Sequence, residues 1–532
     1  MLGIPAALPA GTKATKYSQG RREASRTLLS GIVLPPTSML AALVLAASQL
    51  WLGATDLHLD PFDRTPVPAA FGADSNLALF RGTLAAMRRA DPNPAVVVLP
   101  GDFFMHRFAP NSQRPQAMRI VVDGFRRAFP RAQFVVALGN NDSACGDYRS
   151  ELGSADLAAI ARSWAPLVNR AGRAPGFAAE FARGGHYTAN APLPGLRFVV
   201  VDSIVFSSLY RGDCDGNADA AARELAWLDR TLASTPAGVR NVVVTHVPPG
   251  YDVFATAMAH GFVAWPLMQP GDAEAFVATL TEPRNRVALV ITGHEHRFDV
   301  RVASGVPIVT LGSISPVYGN APAFYALDVD DAGLQNVRAW AFDERAGRWS
   351  GPYDFDKTWG ATRIDVRALR AIHDRLGDNP ALRKLWQRAF DGWAYSRGAS
   401  VWEDRRWRIP WCAQTELDGG FAACAGLGRR TLALQIAGIV ALGAVAGLLG
   451  CLALMPARAD RTFWQLSSGP APSPWPTPTA WPVTWYGSLY YPLYWPICER
   501  PAIYRCRPPH AHLWPPPIPH GQHAVAAPKP PR

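Results

Sequence analysis

Five short motifs carry side chains that could share a metal ion or move a proton. They are "DLHLD" (Asp56, His58, Asp60), "GDFFMH" (Asp102, His106), "GNND" (Asn140, Asn141, Asp142), the histidine closing "NVVVTH" (His246), and "GHEH" (His294, His296). Alternate residues of an extended segment project to one side, so Asp56 and His58 can share a cation, and His294 is aimed with His296. Mixed imidazole, carboxylate and amide donors suit two divalent ions, Zn, Mn or Fe. Two such ions roughly 3.5–4 Å apart lower the pKa of a bridging water, orient a phosphate and stabilise charge in line with a leaving group. A lone D-x-H or H-x-H says little. Here five of the twelve histidines fall in these motifs, in order along the chain, and the combination is specific.

Each motif follows an apolar run of strand composition: "LWLGAT", "AVVVLP", "QFVVAL", "NVVVTH" and "VALVITG". Continuous rather than alternating apolar runs indicate strands buried on both faces, hence a layered α/β domain. In such domains sites gather beyond the carboxyl ends of the strands. Between the runs lie helical patterns such as 74–89, opened by an Asp/Ser cap signal. The later runs "AFYALDVD" and "NVRAWAF" come in quick succession, which suggests antiparallel additions at a sheet edge. Residues 363–400 read as helices and precede the tryptophan-rich "VWEDRRWRIPWC", together a small helical cap on the same body.

The order D-x-H, GD, GN-x-D/E, H, GH-x-H over residues 50–345 resembles the calcineurin-like metallophosphoesterase superfamily. The resemblance implies an α/β fold in four layers, a double β-sheet sandwich flanked by helices. It implies one metal held by Asp56, His58, Asp102 and His296, and a second by Asp102, Asn140, His246 and His294. Asp102 would bridge the two, with the attacking hydroxide between them. Finer features are similar to the acid sphingomyelinase-like phosphodiesterase and endopolyphosphatase branch. These are "DLHLDP", the spacing from Asp102 to His106, "CGDY" after "GNND", and the late "CAQTELDGGFAAC". That branch pairs its catalytic domain with a helical C-terminal subdomain, which 355–427 would match.

Many members of the branch have a histidine after the GN asparagine, near the scissile phosphate; here Asn141 stands in that place. An amide donates a hydrogen bond to a phosphoryl oxygen but transfers no proton near neutral pH. His106 is in the position of a second histidine that protonates the leaving oxygen, so the resemblance implies a general acid at His106 and a phosphate contact at Asn141. Asn141 also shifts weight toward phosphoanhydrides, which need little leaving-group protonation. Asp60 and Asp142 are expected behind the ligands, as acceptors that orient histidines. The expected activity is hydrolysis of phosphodiesters, as in the sphingomyelinase-like branch. The alternatives are an endopolyphosphatase or nucleotide phosphoanhydride hydrolase, and a non-catalytic membrane scaffold.

The net charge of +11 lies at the two ends of the chain. Residues 1–48 hold five Lys/Arg against one Glu, and 429–532 hold nine against two acidic residues, which leaves 49–428 neutral. A neutral body offers no electrostatic footprint for DNA or RNA, and nucleic-acid binding is not expected. Lys13 to Arg26 precede an apolar stretch ending in "AAS", a signal peptide or signal anchor over 1–48. The charge-free run 431–455 is long enough to cross about 30 Å of hydrocarbon as a transmembrane helix. The expected division is therefore catalytic domain 49–350, helical subdomain 351–428, membrane helix 431–455 and tail 456–532. The body would be exported and anchored, outside the cytoplasm in a periplasmic or extracellular setting. Its four cysteines permit two disulfides in three connectivities, and the expected pairs are Cys145–Cys214 and Cys412–Cys424. The tail holds 18 of the 48 prolines within 463–532, interleaved with Trp and Tyr, a composition open to partner binding or to no function.

Overall fold

The apolar runs fold as short, fully buried strands, and β-branched valines dominate them because they pack well on a pleated surface. The computed structural model describes residues 48–427 except 109–111, 215–218, 260–262 and 399, together with 438, 440, 442 and 443. These fall within the first of two compact units, Met1–Gly450; the second is Cys451–Arg532. The expected signal segment, apolar run and proline-rich tail lie outside the described residues, apart from those four positions. Among the described residues, no helix is long and apolar enough to cross a membrane.

In chain order the strands are β1 (Gln49–Gly53), β2 (Leu59–Asp60), β3 (Ser75–Asn76), β4 (Val96–Leu99), β5 (Gln133–Val136), β6 (Tyr187–Asn190) and β7 (Leu196–Val200). They continue as β8 (Arg240–Val244), β9 (Val287–Thr292), β10 (Asp299–Ala303), β11 (Val306–Thr310), β12 (Ala323–Asp330), β13 (Gly333–Asp343) and β14 (Arg348–Asp354). One six-stranded sheet has the order β14-β13-β12-β1-β4-β5 and a second β10-β11-β9-β8-β7-β6. β1, β4 and β5 are parallel, as are β7, β8, β9 and β11. The late strands β12, β13 and β14 add antiparallel beyond β1.

Strand parity fixes the layers. Trp51 of β1 meets Phe198 of β7 with ring centroids 4.9 Å apart, so the two sheets face one another. Phe198, Val242 and Leu289 point into that shared core, whereas Val199, Val243 and Val290 lie in a second cluster. That cluster includes Leu228 and Leu232 of the helix Ala220–Ala233 and Phe276 and Leu280 of the helix Pro270–Thr281. On the opposite face of the first sheet, helices Arg114–Ala128 and Ala155–Val168 bring Phe125 and Trp164 to within 5.9 and 6.0 Å of Phe134. The result is the expected four layers, helix on sheet on sheet on helix. Each fully buried Val or Leu contributes roughly 1.5–3 kcal/mol to it.

The helix expected over 74–89 spans Leu77–Ala90, and its cap is Asn76, whose side chain accepts from the Leu79 amide at 3.0 Å. The expected Asp/Ser cap gives way because Asp74 is committed to His106, as described below. After β14, helices Phe355–Trp359, Val366–Asp378, Pro380–Phe390, Arg408–Ala413 and Phe421–Ala425 follow. Phe355, Trp359, Trp386 and Trp402 belong to the same buried cluster as the intersheet core. Phe298, just before β10, lies 6.3 Å from Phe355 and joins the helical part to the second sheet.

Candidate metal centre

The parallel strands aim their carboxyl ends at one place. β1 leads to Asp56 and His58, β4 to Asp102 and β5 to Asn140; β8 leads to His246 and β9 to His294 and His296. The first sheet thus supplies four of the candidate ligands and the second sheet three. Five of them, Asp56, His58, Asp102, His294 and His296, have left-handed backbone, with φ of 50°, 38°, 55°, 75° and 57°. Such conformations cost about 1–3 kcal/mol each in non-glycine residues and concentrate at functional turns. The glycines of "GD" and "GN" are required by close approach. A Cβ on Gly101 (φ +113°) would lie 2.6 Å from the Gly139 amide, and one on Gly139 would collide with the Asp102 carboxylate.

The side chains converge in two groups that share Asp102. His58 Nε2 lies 3.0 Å from His296 Nε2 and 3.3 Å from Asp102 Oδ2, and His296 Nε2 lies 3.3 Å from Asp56 Oδ1. On the other side, His246 Nε2 is 3.4 Å from Asp102 Oδ2 and 3.1 Å from Asn140 Oδ1, which His294 Nδ1 approaches to 2.9 Å. All of these residues except half-buried His294 are nearly or fully inaccessible. Asp56 is held by Thr55 Oγ1 at 2.7 Å and by the His294 amide, the latter bond linking the two sheets.

The donor set fits divalent cations. Donors bonded at about 2.1 Å to one ion stand roughly 3.0–3.4 Å from each other, the spacing seen among these atoms. His58 Nδ1 and His296 Nδ1 are buried without a hydrogen-bond partner, and their Nε2 atoms face one another, an arrangement that calls for a shared positive charge. Burial, with neighbouring His106, pushes His58 down to about 4. Burial and His246 push His294 down to about 3, so both rings are neutral and ligand-competent at neutral pH. His246 differs. Burial lowers its pKa, but Asp102 and Asp56 outweigh it and lift the ring to about 9. Its Nδ1 donates to the Pro100 carbonyl at 2.9 Å, which turns Nε2 toward the carboxylates.

The remaining candidates occupy distinct places. Asp142 accepts from backbone amides, its Oδ2 from Asp102 at 2.9 Å and Gly139 at 2.8 Å and its Oδ1 from Phe103 at 2.7 Å. It orients the turn that bears Asp102, not a histidine, and burial raises it to about 7 against those amides. Asp60 caps its own turn, Oδ1 accepting from the Phe62 amide at 2.9 Å and the Asp63 amide at 3.2 Å. Asn141 donates to Asp102 from both its backbone, at 2.8 Å, and its side-chain amide, at 3.2 Å. His106 stands at the edge of the centre, stacked on His58 with centroids 4.2 Å apart.

Several residues here escaped the motif reading. Asp74 Oδ1 lies 2.7 Å from His106 Nδ1, and its Oδ2 accepts from the His106 amide. Burial pulls His106 down, but Asp74, with Asp102 and Asp147 behind it, lifts the ring above its ordinary pKa. Asp147 Oδ1 accepts from Asn140 Nδ2 at 2.7 Å and so turns the asparagine oxygen toward the histidines. Tyr318 sets its ring edge against His296 with centroids 4.7 Å apart. These positions lie on loops without a repeating pattern; only the acidic "CGDY" next to "GNND" held a usable signal for Asp147. Two disulfides, Cys145–Cys214 and Cys412–Cys424, form the expected pairs, with Cα atoms 5.5 and 5.9 Å apart.

Residues 52–298 match the calcineurin-like phosphoesterase family. The chain is 23% identical over 304 residues to "Sphingomyelinase phosphodiesterase D" of Dictyostelium discoideum, covering 54% of this chain and 66% of that protein. It is 24% identical over 395 residues to the Homo sapiens "Acid sphingomyelinase-like phosphodiesterase 3b", covering 64% of this chain and 83% of the relative. Among solved structures, a dimetal phosphatase from Danio rerio aligns over 55% of this chain and 95% of its own, at 15% identity and a TM-score of 0.33.

Proposed function

We propose, on the premise that residues 52–298 are a calcineurin-like phosphoesterase domain, that this chain hydrolyses phosphodiester bonds at a centre of two divalent cations. The observation that carries the reading is the convergence of six donor side chains from two sheets around the Asp102 carboxylate. Asp56, His58, Asp102 and His296 are assigned to one cation, and Asp102, Asn140, His246 and His294 to the other, with Zn, Mn or Fe as candidates. When bound, such ions lower the pKa of a shared water and neutralise phosphate charge.

The chain's own groups do the rest. Thr55 and the His294 amide hold Asp56 in place, and the Pro100 carbonyl accepts from His246 Nδ1 and so keeps Nε2 turned toward the carboxylates. Asp74 accepts the Nδ1 proton of His106, which leaves Nε2 as the atom that passes a proton to the leaving oxygen. Asn141 places an amide donor beside Asp102, where it contacts a phosphoryl oxygen. The diester reading is supported by the two sphingomyelinase-named relatives. A second reading, phosphoanhydride hydrolysis, is favoured by Asn141 alone, because an amide supplies no proton. Two disulfides support an exported body. The division into a catalytic part, 49–350, and a helical part, 351–428, and the anchor at 431–455 rest on the sequence.

The test uses the full chain, stripped with a chelator and refilled with Mn or Zn. Turnover of bis-p-nitrophenyl phosphate is compared with shortening of polyphosphate. Faster diester cleavage is expected. Faster polyphosphate cutting would select the second reading, and no turnover of either by cation-loaded protein would sink the hydrolase assignment.

A further inference from the structure

Arg297 directly follows the last assigned ligand and is only 2% exposed. A guanidinium taken so far out of water needs its charge matched and its donors satisfied. Its Nη1 donates to Asp391 Oδ1 at 2.5 Å and its Nη2 to the Tyr318 carbonyl at 2.8 Å. The rings of Phe254 and Phe390 lie 5.5 and 5.7 Å from its central carbon. Gly398 leaves the space: a Cβ there would stand 2.5 Å from Nη2.

Asp391 ends the helix Pro380–Phe390, and its Oδ2 accepts from Gln387 Nε2 at 2.7 Å. Its carbonyl accepts from the Ala321 amide at 3.1 Å, while the Gly319 carbonyl accepts from the Arg397 amide at 2.7 Å and Ser396 Oγ at 2.8 Å. The helical part therefore grips the loop that carries Tyr318. Tyr318 in turn leans its ring edge on His296 and brings its hydroxyl to 3.4 Å from His106 Nε2. One guanidinium joins the His296 segment to the Tyr318 segment, and one carboxylate from the helical part fixes that guanidinium.

We propose that Asp391 is a positioning residue for the hydrolysis. Acting through Arg297, it sets His296 and the Tyr318 ring, and with them the cation on that side and the space before His106 Nε2. The proposal rests on the function proposed above.

The test separates positioning from mere stability. Removing one partner of a buried ion pair strands the other, whereas replacing both with apolar groups is often neutral or stabilising. Full-length wild type, Asp391→Asn, Asp391→Glu and the double variant Arg297→Leu/Asp391→Leu are compared. The readouts are Tm, cations retained per chain against a weak chelator, and kcat and KM on bis-p-nitrophenyl phosphate. Asp391→Asn is expected to lose about 10–100-fold in cation affinity or kcat, with a smaller change in KM. Asp391→Glu, which keeps the charge, should regain part of that loss. The double variant should recover Tm but neither kcat nor cation retention. A double variant that recovers all three, or Asp391→Asn with wild-type retention and kcat, overturns the proposal. Cation retention decides it even if the wild type cleaves no ester, an outcome that would sink the function above instead.

Discussion

His106 differs from the other histidines of the centre in having a carboxylate of its own, Asp74. If His106 Nε2 protonates the leaving oxygen, His106→Gln should lose about 100–10,000-fold on diesters with poor leaving groups and far less on activated aryl esters. Equal losses on both, measured as kcat, would remove the general-acid role. The pair also shows where motif reading stops. His106 stood in a recognisable spacing after "GD", while Asp74, thirty-two positions earlier, looked like a helix cap because an acid before a helix usually is one. A second residue allows a pH prediction. Asp202 is fully buried, its Oδ2 has no partner, and burial with nearby Glu224 pushes it up to about 8. Unfolded, it loses its proton near 3.8, so between 3.8 and about 8 the unfolded chain binds fewer protons and stability falls as pH rises. Asp202→Asn should flatten that fall by about 1.4 kcal/mol per pH unit, read from urea midpoints across the range.

Strands whose ends carry chemistry were legible because each combines a continuous apolar run with an abrupt polar stop, as in "AVVVLP" before Gly101-Asp102. The loops that trim the centre were not, because Asp147 and Tyr318 reach it from segments whose neighbours have no period, and Asp391, at the end of a helix, touches it only through Arg297. The loop bearing Asp147 also bears Cys145, and its bridge to Cys214 closes a 69-residue separation. Cys145→Ser is expected to cost about 2–5 kcal/mol in denaturant unfolding and to weaken cation binding by freeing Asn140. Mass spectrometry of unreduced protein should find both bridges; four free thiols in the body would contradict them.

For the whole molecule, the left-handed turns and facing imidazoles mean that the centre is costly to keep empty. Cations bound only by the folded state should raise Tm, and an excess of about 100 times Kd contributes about 2.7 kcal/mol. Thermal unfolding with chelator, then with Mn or Zn restored, checks this; a Tm indifferent to both would deny that the folded chain binds them. The order of the first sheet has a further consequence. β1 lies between β4 and β12 and pairs with both. A chain growing on the ribosome therefore carries β1 with an open edge until β12 has been made, and open edges invite wrong partners. Asp56 and His58, which hang directly from β1, wait with it. A product cut short just before Ala323 would keep all seven assigned ligands yet lack the strand that closes the first sheet, and it would meet proteases before it could hold metal.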